Sequence, residues 1–505
     1  MYRILTASKD TYITNRIINN RFRATDANVG QAGTLDLFKL VDESTSGSIK
    51  SGVFELSRIL IKFNYQQLHD LTGTKLDLNH SSFKCTLRLF DVYGGQPTPS
   101  NFKTIVFPLS QAFDEGIGRD VFQFADVDAC NFITASTSNG ESTKWYTSGA
   151  NQQGFLGAPD IDIIASGTLS GSTTNAAIWK QQLFSTGEED LNIDITQIVS
   201  ATMVGQLPDH GFRISYSGTQ ETDGRSRFVK RFASRHSSNT RITPRIIVQY
   251  DDSIHDHHSN FIFDVSSSLF INNFHRGVPA NILSGTRAQG VSGSNCLLVK
   301  LESGSFSQTT TGSQHKIGNS FITGVYSSSF AISSYNSTLR NEIVTAGSAT
   351  FNEYWLSLDG SIGYKTGVLV INDVNRTTYK KNIRNLIIRI VNLRPNYIST
   401  ENVILKVHVR DTLEPVKYVK IPREQKSLIF NKMYYRIRDA YTGDIIIPFD
   451  KTNNSTILST DSGGMYFELY MDSLDIGRVY TIDFLINDAN YDQVFSDVAR
   501  FRVDI

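Results

Sequence analysis

The chain has 505 residues and is formally neutral, with 49 Lys and Arg set against 49 Asp and Glu. Neutrality removes the electrostatic footprint of a nucleic-acid binder, and no Lys/Arg tail reads as an anchor on an anionic membrane surface. No apolar stretch approaches the roughly 18 residues of a membrane-spanning helix, and no apolar signal core follows Met1-Tyr2-Arg3, so neither membrane insertion nor secretory cleavage is expected.

The length exceeds one hydrophobic core, and about three domains are expected. Cys85, Cys130 and Cys296 lack metal-ligand or redox spacing. They are expected to be free thiols of a chain made in a reducing compartment, with Cys85 a small buried hydrophobe.

In chain order, the first region opens on Thr6-Ala7-Ser8-Lys9-Asp10-Thr11-Tyr12-Ile13 and a turn at Asn28-Val29-Gly30. Strands follow at Ser57-Arg58-Ile59-Leu60-Ile61-Lys62-Phe63-Asn64 and at Lys84 to Phe90. Leu191, Ile193 and Ile195 alternate with Asn192, Asp194 and Thr196, and Phe212, Ile214 and Tyr216 alternate with Arg213 and Ser215. Period-two alternation is the pattern of half-buried strands. A short helix is expected from Thr196 to Gly205, with Thr196 as its N-cap. The region closes on Arg231-Phe232-Ala233-Ser234-Arg235 and then Thr243-Pro244-Arg245-Ile246-Ile247-Val248-Gln249-Tyr250. Turn signals stand at Gly94-Gly95, Gly116-Ile117-Gly118 and Ser170-Gly171-Ser172.

These motifs, in this order, make residues 1 to 251 resemble the DNRLRE family of β-sandwich modules, which are similar to carbohydrate-binding modules. The resemblance is carried by Asp10-Thr11-Tyr12, the Asn28-x-Gly30 turn, Arg58, Leu60 and Phe63, Cys85-Thr86-Leu87-Arg88-Leu89, Asp194-Ile195-Thr196-Gln197-Ile198-Val199, and Phe232, Ser234 and Arg235. Two positions depart from the family pattern: Asp209-His210 replaces the usual asparagine-led turn before Gly211, and His236 stands where an acid is usual. A further run, Phe113 to Asp120 followed by Trp145-Tyr146 and Gly154 to Asp160, resembles an insert of tailed-phage virion proteins. The resemblance implies a jelly-roll-like β-sandwich used for binding or structure.

Within that region, Asp114, Glu115, Asp120, Asp126 and Asp128 surround two glycines. A hard cation needs several oxygen ligands on a flexible loop, but the spacing is not that of an EF-hand. The acids therefore read first as solvated loop carboxylates and second as ligands of a structural calcium; no other cofactor is expected. Trp145, Tyr146 and Trp179 offer flat apolar faces with polar rims, as a glycan platform does. Core or interface packing is their first reading. The basic run Arg225 to Arg235 reads as a solvated face beside strands. No nucleophile elbow or phosphate-binding glycine loop is present, and no catalytic residue is assigned.

After Tyr250 the polar run Asp251 to Ser259 carries His255, His257 and His258 and reads as a solvated linker over 252–259, with a transition metal as the alternative. A Ser/Thr/Gly-rich sandwich is expected over 260–374, its polar runs forming ordered loops and edge strands, with Trp355 in its core. An immunoglobulin-like sandwich is expected over 375–505, from strands at Leu386–Val391, Val403–Val409, Tyr434–Ile437, Tyr466–Tyr470, Tyr480–Ile486 and the C-terminus. In the C-terminal strand Phe501, Val503 and Ile505 should share a face. The whole is expected to be all-β: a jelly-roll-like sandwich and two smaller ones.

The functional expectation is a non-enzymatic structural component of a tailed-phage virion, in the neck, tail or baseplate region. It would be made in the host cytoplasm and act with other virion proteins and copies of itself. The alternative is a carbohydrate-binding adhesion protein that recognises a host-surface glycan.

Overall fold

The computed structural model describes the chain except residues 20, 42–53, 73–74, 94, 96–97, 125, 170–173, 286–288, 374–384, 413–425 and 489–490. The expected turns at Gly94 and Ser170-Gly171-Ser172, and the expected boundary at 374/375, lie outside the described residues. The fold is all-β: a jelly-roll-like sandwich followed by two smaller sandwiches. The chain divides into two compact units, one of residues 3–69 and 84–248, the other of residues 1–2, 70–83 and 249–505.

The first unit is built on the ten-residue strand Phe54–Phe63. Its residues Ser57 to Phe63 pair with Tyr2–Thr14. On its other side Ile59 to Ile61 pair with Phe212–Tyr216, while Phe54 to Leu56 pair with Thr34–Val41. One strand thus serves two directions of the sheet, which is how a jelly roll turns its corner. Beyond Phe212–Tyr216 come Phe102–Pro108 and Lys180–Phe184; beyond Tyr2–Thr14 come Arg245–Gln249, Lys84–Leu89 and Leu191–Asp194. The two ends of this path meet through one side chain: Gln182 accepts from the Asn192 amide at 2.6 Å and donates to the Asp190 carbonyl at 2.8 Å.

Alternation holds where one face meets water. Leu191 and Ile193 are buried while Asn192 and Asp194 are exposed. It fails at Phe212–Tyr216, where all five residues are buried. The insert around Ala150 covers the outer face: Arg213 donates to the Ala150 carbonyl at 3.1 Å and to Ser215 at 2.8 Å, and lies 5.1 Å from the Phe107 ring centre. Beside it Arg58 donates to Glu221 at 2.8 and 3.0 Å, to Asn151 at 2.8 Å and to the Gly149 carbonyl at 2.6 Å. The expected helix is present at Thr196–Met203, but Ile195 occupies the N-cap without a side-chain cap bond. Thr196 instead bonds Asp194 at 2.6 Å and receives the Cys85 amide at 2.9 Å, tying the helix start to the neighbouring strand. Cys85 and Cys130 are free and fully buried, and burial pushes both thiols up, away from reactivity.

In the second unit, a six-stranded sheet runs in the order Ser267–Asn272, Ser320–Phe330, Phe306–Ile317, Leu297–Ser303, Ser348–Leu356, Gly363–Asn372. Its Ser/Thr-rich strands are central, not peripheral as the composition suggests. Hydroxyl pairs form on both faces: Ser268 lies 2.6 Å from the exposed Ser329, and Thr310, opposite Val299, lies 2.8 Å from the buried Ser328. The core face, which Thr310 and Ser328 share, buries Leu297, Val299, Leu301, Phe351 and Trp355. Phe261 and Phe263 enter this core, but from an isolated bridge at Ile262 instead of a full strand.

The remaining two sheets stack as a sandwich. One is Leu386–Ile390, Asn402–Asp411, Gly464–Tyr470, Ser459–Asp461; the other is Asn396–Ile398, Tyr491–Asp504, Val479–Asp488, Met433–Asp439, Ile445–Ile447. Phe467 crosses between them. It stacks on Tyr435 at 4.4 Å and meets the edge of Phe484 at 6.0 Å. Phe501 and Val503 are buried here, whereas Ile505, beyond the last pairing, is exposed.

The segment 252–259 is packed within this unit, where a solvated linker was expected. The Ile254 carbonyl accepts the Thr460 amide at 2.7 Å, and the Asp256 carbonyl accepts the Thr460 hydroxyl at 3.0 Å. Residues 70–83 join the same unit: Asp77 accepts the Asn319 amide at 2.7 Å, and Lys75 pairs with Glu468 at 2.7 Å. Replacing Phe467 by Ala should cost about 3–5 kcal/mol by removing the ring that joins the two sheets. Replacing the exposed Ile387 in the same sandwich by Ala should cost less than about 0.5 kcal/mol. Urea unfolding of both variants checks the contrast.

Candidate functional site

The five acids singled out in the sequence do not converge on one cation. Asp120 accepts the amides of Phe122 and Gln123 at 2.8 and 3.0 Å, and Asp126 accepts that of Ile117 at 2.7 Å. Asp114 accepts the Thr137 amide at 2.9 Å and faces Lys9 at 3.7 Å, while Asp128 is exposed. Asp120 satisfies its own turn's backbone, as Asp does in such loops, whereas Asp126 and Asp114 take amides from more distant parts of the insert. Glu115 alone enters a tighter group, with Asp10 and His236.

That group is where the two ends of the first region meet. Glu115 accepts the Asp10 amide at 2.9 Å and receives a fork from Arg235 at 2.6 and 2.9 Å. The Arg235 amide in turn donates to Asp10 at 2.6 Å, and His236 lies 3.4 Å from Glu115. Burial raises the Asp10 carboxyl to about 7; the Arg235 amide opposes the rise, and the Glu115 charge adds to it. The Arg235 guanidinium pairs with Glu115, whereas Asp10 takes the Arg235 backbone amide, and Asp10 Oδ1 and His236 Nε2 are buried without a hydrogen-bond partner among the described residues. Asn28 holds the same loop with four bonds, donating to the carbonyls of Glu115 and Cys130 at 2.8 and 2.7 Å and accepting from Gly30 and Gly118 at 3.1 and 2.9 Å. A Cβ at Gly30 would lie 1.9 Å from the Glu115 carbonyl oxygen, so only glycine fits the Asn28-x-Gly30 turn.

The aromatic trio is likewise not an open platform. Trp145 is 4 % exposed and donates its indole N–H to the Asn131 carbonyl at 3.0 Å. Trp179 is half-buried against the same core cluster. Only Tyr146 is exposed, and its hydroxyl is engaged by Asp160. A sugar would find one ring edge, not three faces.

In the second unit, His258 is clamped between two buried acids. Its Nδ1 lies 2.6 Å from Asp256, and its Nε2 lies 3.0 Å from Glu353. Glu353 also accepts the Trp355 indole N–H and senses the Lys365 charge. Burial alone would push the imidazole down, but the bonds to Asp256 and Glu353 outweigh it and hold it at about 9. Burial likewise pushes the Glu353 carboxyl up, and His258 reverses this and holds it below its ordinary range. The three linker histidines do not share a metal. His258 is used here, His257 bonds the Ser268 carbonyl at 3.2 Å, and His255 lies 3.2 Å from Ser253.

The open feature of the second unit is a cleft of about 630 Å³ beside the six-stranded sheet, unmarked by any sequence motif. The hairpin Phe274–His275/Val278–Pro279 forms one wall, turned by Arg276 and Gly277 with φ of 50° and 82°. Two positive φ values make the primed turn that two-residue hairpins need. Asn273, Asn281, Tyr364 and Lys365 complete the lining used below.

No family model matches the chain, and no curated protein matches it. Among solved structures, a titin fragment (A168169) is 7 % identical at a TM-score of 0.15, over 48 % of this chain and 93 % of that one. A biofilm-associated protein BSP domain is 8 % identical at 0.14, over 99 % and 96 %. The α2-macroglobulin of E. coli is 9 % identical at 0.12, over 99 % and 35 %. Likenesses this far below a TM-score of 0.5 carry no argument about this chain.

The His258 clamp generates a pH prediction. Because the folded imidazole titrates above its ordinary 6.5, its stabilisation is fully present below that value and is lost as pH rises through about 9. The lowered Glu353 carboxyl contributes above its ordinary range and loses that contribution in acid. His258→Ala leaves two buried acids uncompensated and should cost about 3–5 kcal/mol near neutral pH. Thermal melts across pH 5–10 should show this gap narrowing as pH rises from about 6.5 to about 9, where wild type loses the imidazolium.

Proposed function

We propose that this chain is a non-enzymatic structural protein of a tailed-phage virion, in the neck, tail or baseplate region, and that it works by assembly with copies of itself and other virion proteins. The observation that supports this reading is an open strand edge. Tyr491–Asp504 pairs along one side with Val479–Asp488, but on its other side only Arg502 to Asp504 pair, with Asn396–Ile398. Among the described residues, the outer edge of 491–501 has no strand partner.

A bulge divides that edge. Asp497 takes a φ of 55° and its amide bonds Asp483, which is itself fully buried between Arg436 and Arg438. Bulges and charges blunt an edge, so the part from Tyr491 to Ser496 is the one left flat. It carries exposed Tyr491 and Val494 and a single charged side chain, Asp492. A strand edge without a neighbouring strand, with exposed apolar side chains, is a template for strand addition by another chain, and a two-fold pair of identical edges satisfies both at once.

The reading expects a concentration-dependent oligomer by light scattering or native mass spectrometry, and the chain among the proteins of purified particles. Val494→Lys places a charge on the flat part and should shift the equilibrium toward monomer while changing stability by less than about 0.5 kcal/mol. A chain that stays monomeric at high micromolar concentration and is missing from particles would overturn the proposal.

A further inference from the structure

We infer that the cleft beside Phe274 binds a saccharide, in the second unit and away from the tryptophans that the sequence offers as a sugar platform. The inference does not rest on the assembly reading. Its basis is a donor, an acceptor and two aromatic rings fixed around one cleft.

The amide orientations follow from their bonds. Asn281 Oδ1 accepts from Gln314 Nε2 at 3.1 Å and from the Gly324 amide at 2.9 Å. Both donors demand oxygen at that position, so the flip is settled and the Asn281 NH2 faces away from them. Asn273 is oriented in the opposite sense: its Nδ2 donates to the Ala280 carbonyl at 2.8 Å, which leaves Oδ1 as its open group. Neither the Asn281 NH2 nor the Asn273 Oδ1 has a protein partner among the described residues. The backbone beneath them is close-packed. A Cβ at Gly324, where φ is 76°, would lie 2.6 Å from the Asn273 carbonyl oxygen, so a side chain at that position would displace both amides. The Tyr326 hydroxyl secures the adjoining strand, accepting from Ile282 at 2.9 Å and donating to the Val291 carbonyl at 2.7 Å.

A vicinal diol supplies what this pair lacks. Each hydroxyl both donates and accepts, so one can receive from Asn281 while the next donates to Asn273. The C–H face of a sugar ring needs an aromatic surface. Phe274 presents one at 59 % exposure on the hairpin wall, and the half-buried Tyr364 stands on the opposite strand. The volume lies in the range of small-ligand sites, roughly 300–1,000 Å³. Among the described residues no carboxylate lines the cleft, whereas Lys365 and His275 do, so the lining suits acidic sugars as well as neutral ones. A bare anion would leave the rings without a use, and an apolar ligand would leave both amides unpaired.

The test is affinity electrophoresis of the full chain through gels containing neutral polysaccharides (dextran, galactomannan) or acidic ones (polygalacturonate, alginate). Retardation is expected in at least one gel. Phe274→Ala should weaken it about tenfold or more, the equivalent of roughly 1.4 kcal/mol. Asn281→Asp keeps the oxygen that Gln314 and Gly324 need and removes the NH2, and should weaken retardation to a similar degree. Tyr441→Ala, which removes a still more accessible ring at 97 % exposure, should run as wild type. Melting temperatures near wild type establish that each variant is folded. The inference is overturned if no gel retards the chain, if either cleft variant is retarded like wild type, or if Tyr441→Ala loses retardation as well.

Discussion

The first unit depends on how the charge of Glu115 is neutralised. Glu115 belongs to the insert after Phe113, Asp10 to the opening strand and Arg235 to the closing motif, more than a hundred residues from either acid. Bringing two acids together without a cation would force one to take a proton or the loop to open. Arg235 meets the Glu115 charge with a bidentate pair, while burial keeps the Asp10 carboxyl raised to about 7. Asn28 then locks the backbone, since all four of its hydrogen-bonding positions are used. The first strand, the insert and the last motif are therefore held by one polar knot, and the apolar core does not have to specify their register alone.

The same logic recurs where the insert crosses the sheet. Arg58 and Arg213 point to a face that would ordinarily be wet, yet both are buried. Burial lowers Arg213 to about 9, and the neighbouring Arg58 charge pushes the same way; Glu221 and Asp162 counter them. Two guanidiniums under a loop are tolerable only because carbonyls at Gly149 and Ala150 and the Glu221 carboxylate receive them. The insert is thus a fitted cover for a charged sheet face. This accounts for Trp145, whose ring belongs to the cover's own core.

These facts mark how far the sequence could be read. Alternation with period two located the strands because it reports a local geometry, one face wet and one dry. It misjudged Phe212–Tyr216 because coverage by residues sixty positions away has no local signature. The acids after Phe113 look like a cation loop in sequence, but their partners are backbone amides of the insert, Lys9 or an arginine far along the chain. The histidines near 255–258 read as solvated because the run around them is polar apart from Ile254. The partner that matters for His258 is Glu353, in a different sheet. Composition also understated the Ser/Thr-rich strands, since hydroxyl pairing across a sheet depends on register. The cleft had no signal at all: its asparagines acquire their roles only from the donors beneath them.

The features that could meet another molecule share a physical origin. A sandwich satisfies its interior by pairing strands and sheets, and what remains open is an edge, a hairpin wall or a loop. At Tyr491 to Ser496 the sheet ends in an edge with no neighbouring strand among the described residues, and such an edge recognises another strand with little regard to its sequence. Around Phe274 the open groups are two oriented amides and a ring, which recognise a particular arrangement of hydroxyls. The first suits a contact repeated between copies, where register and symmetry supply the specificity. The second suits a ligand met one at a time, where the fixed amides do. Both fit one all-β chain because neither asks the core to change; the buried clamp at His258 and the stacked Phe467 keep the supporting sheets rigid while their margins do the recognising.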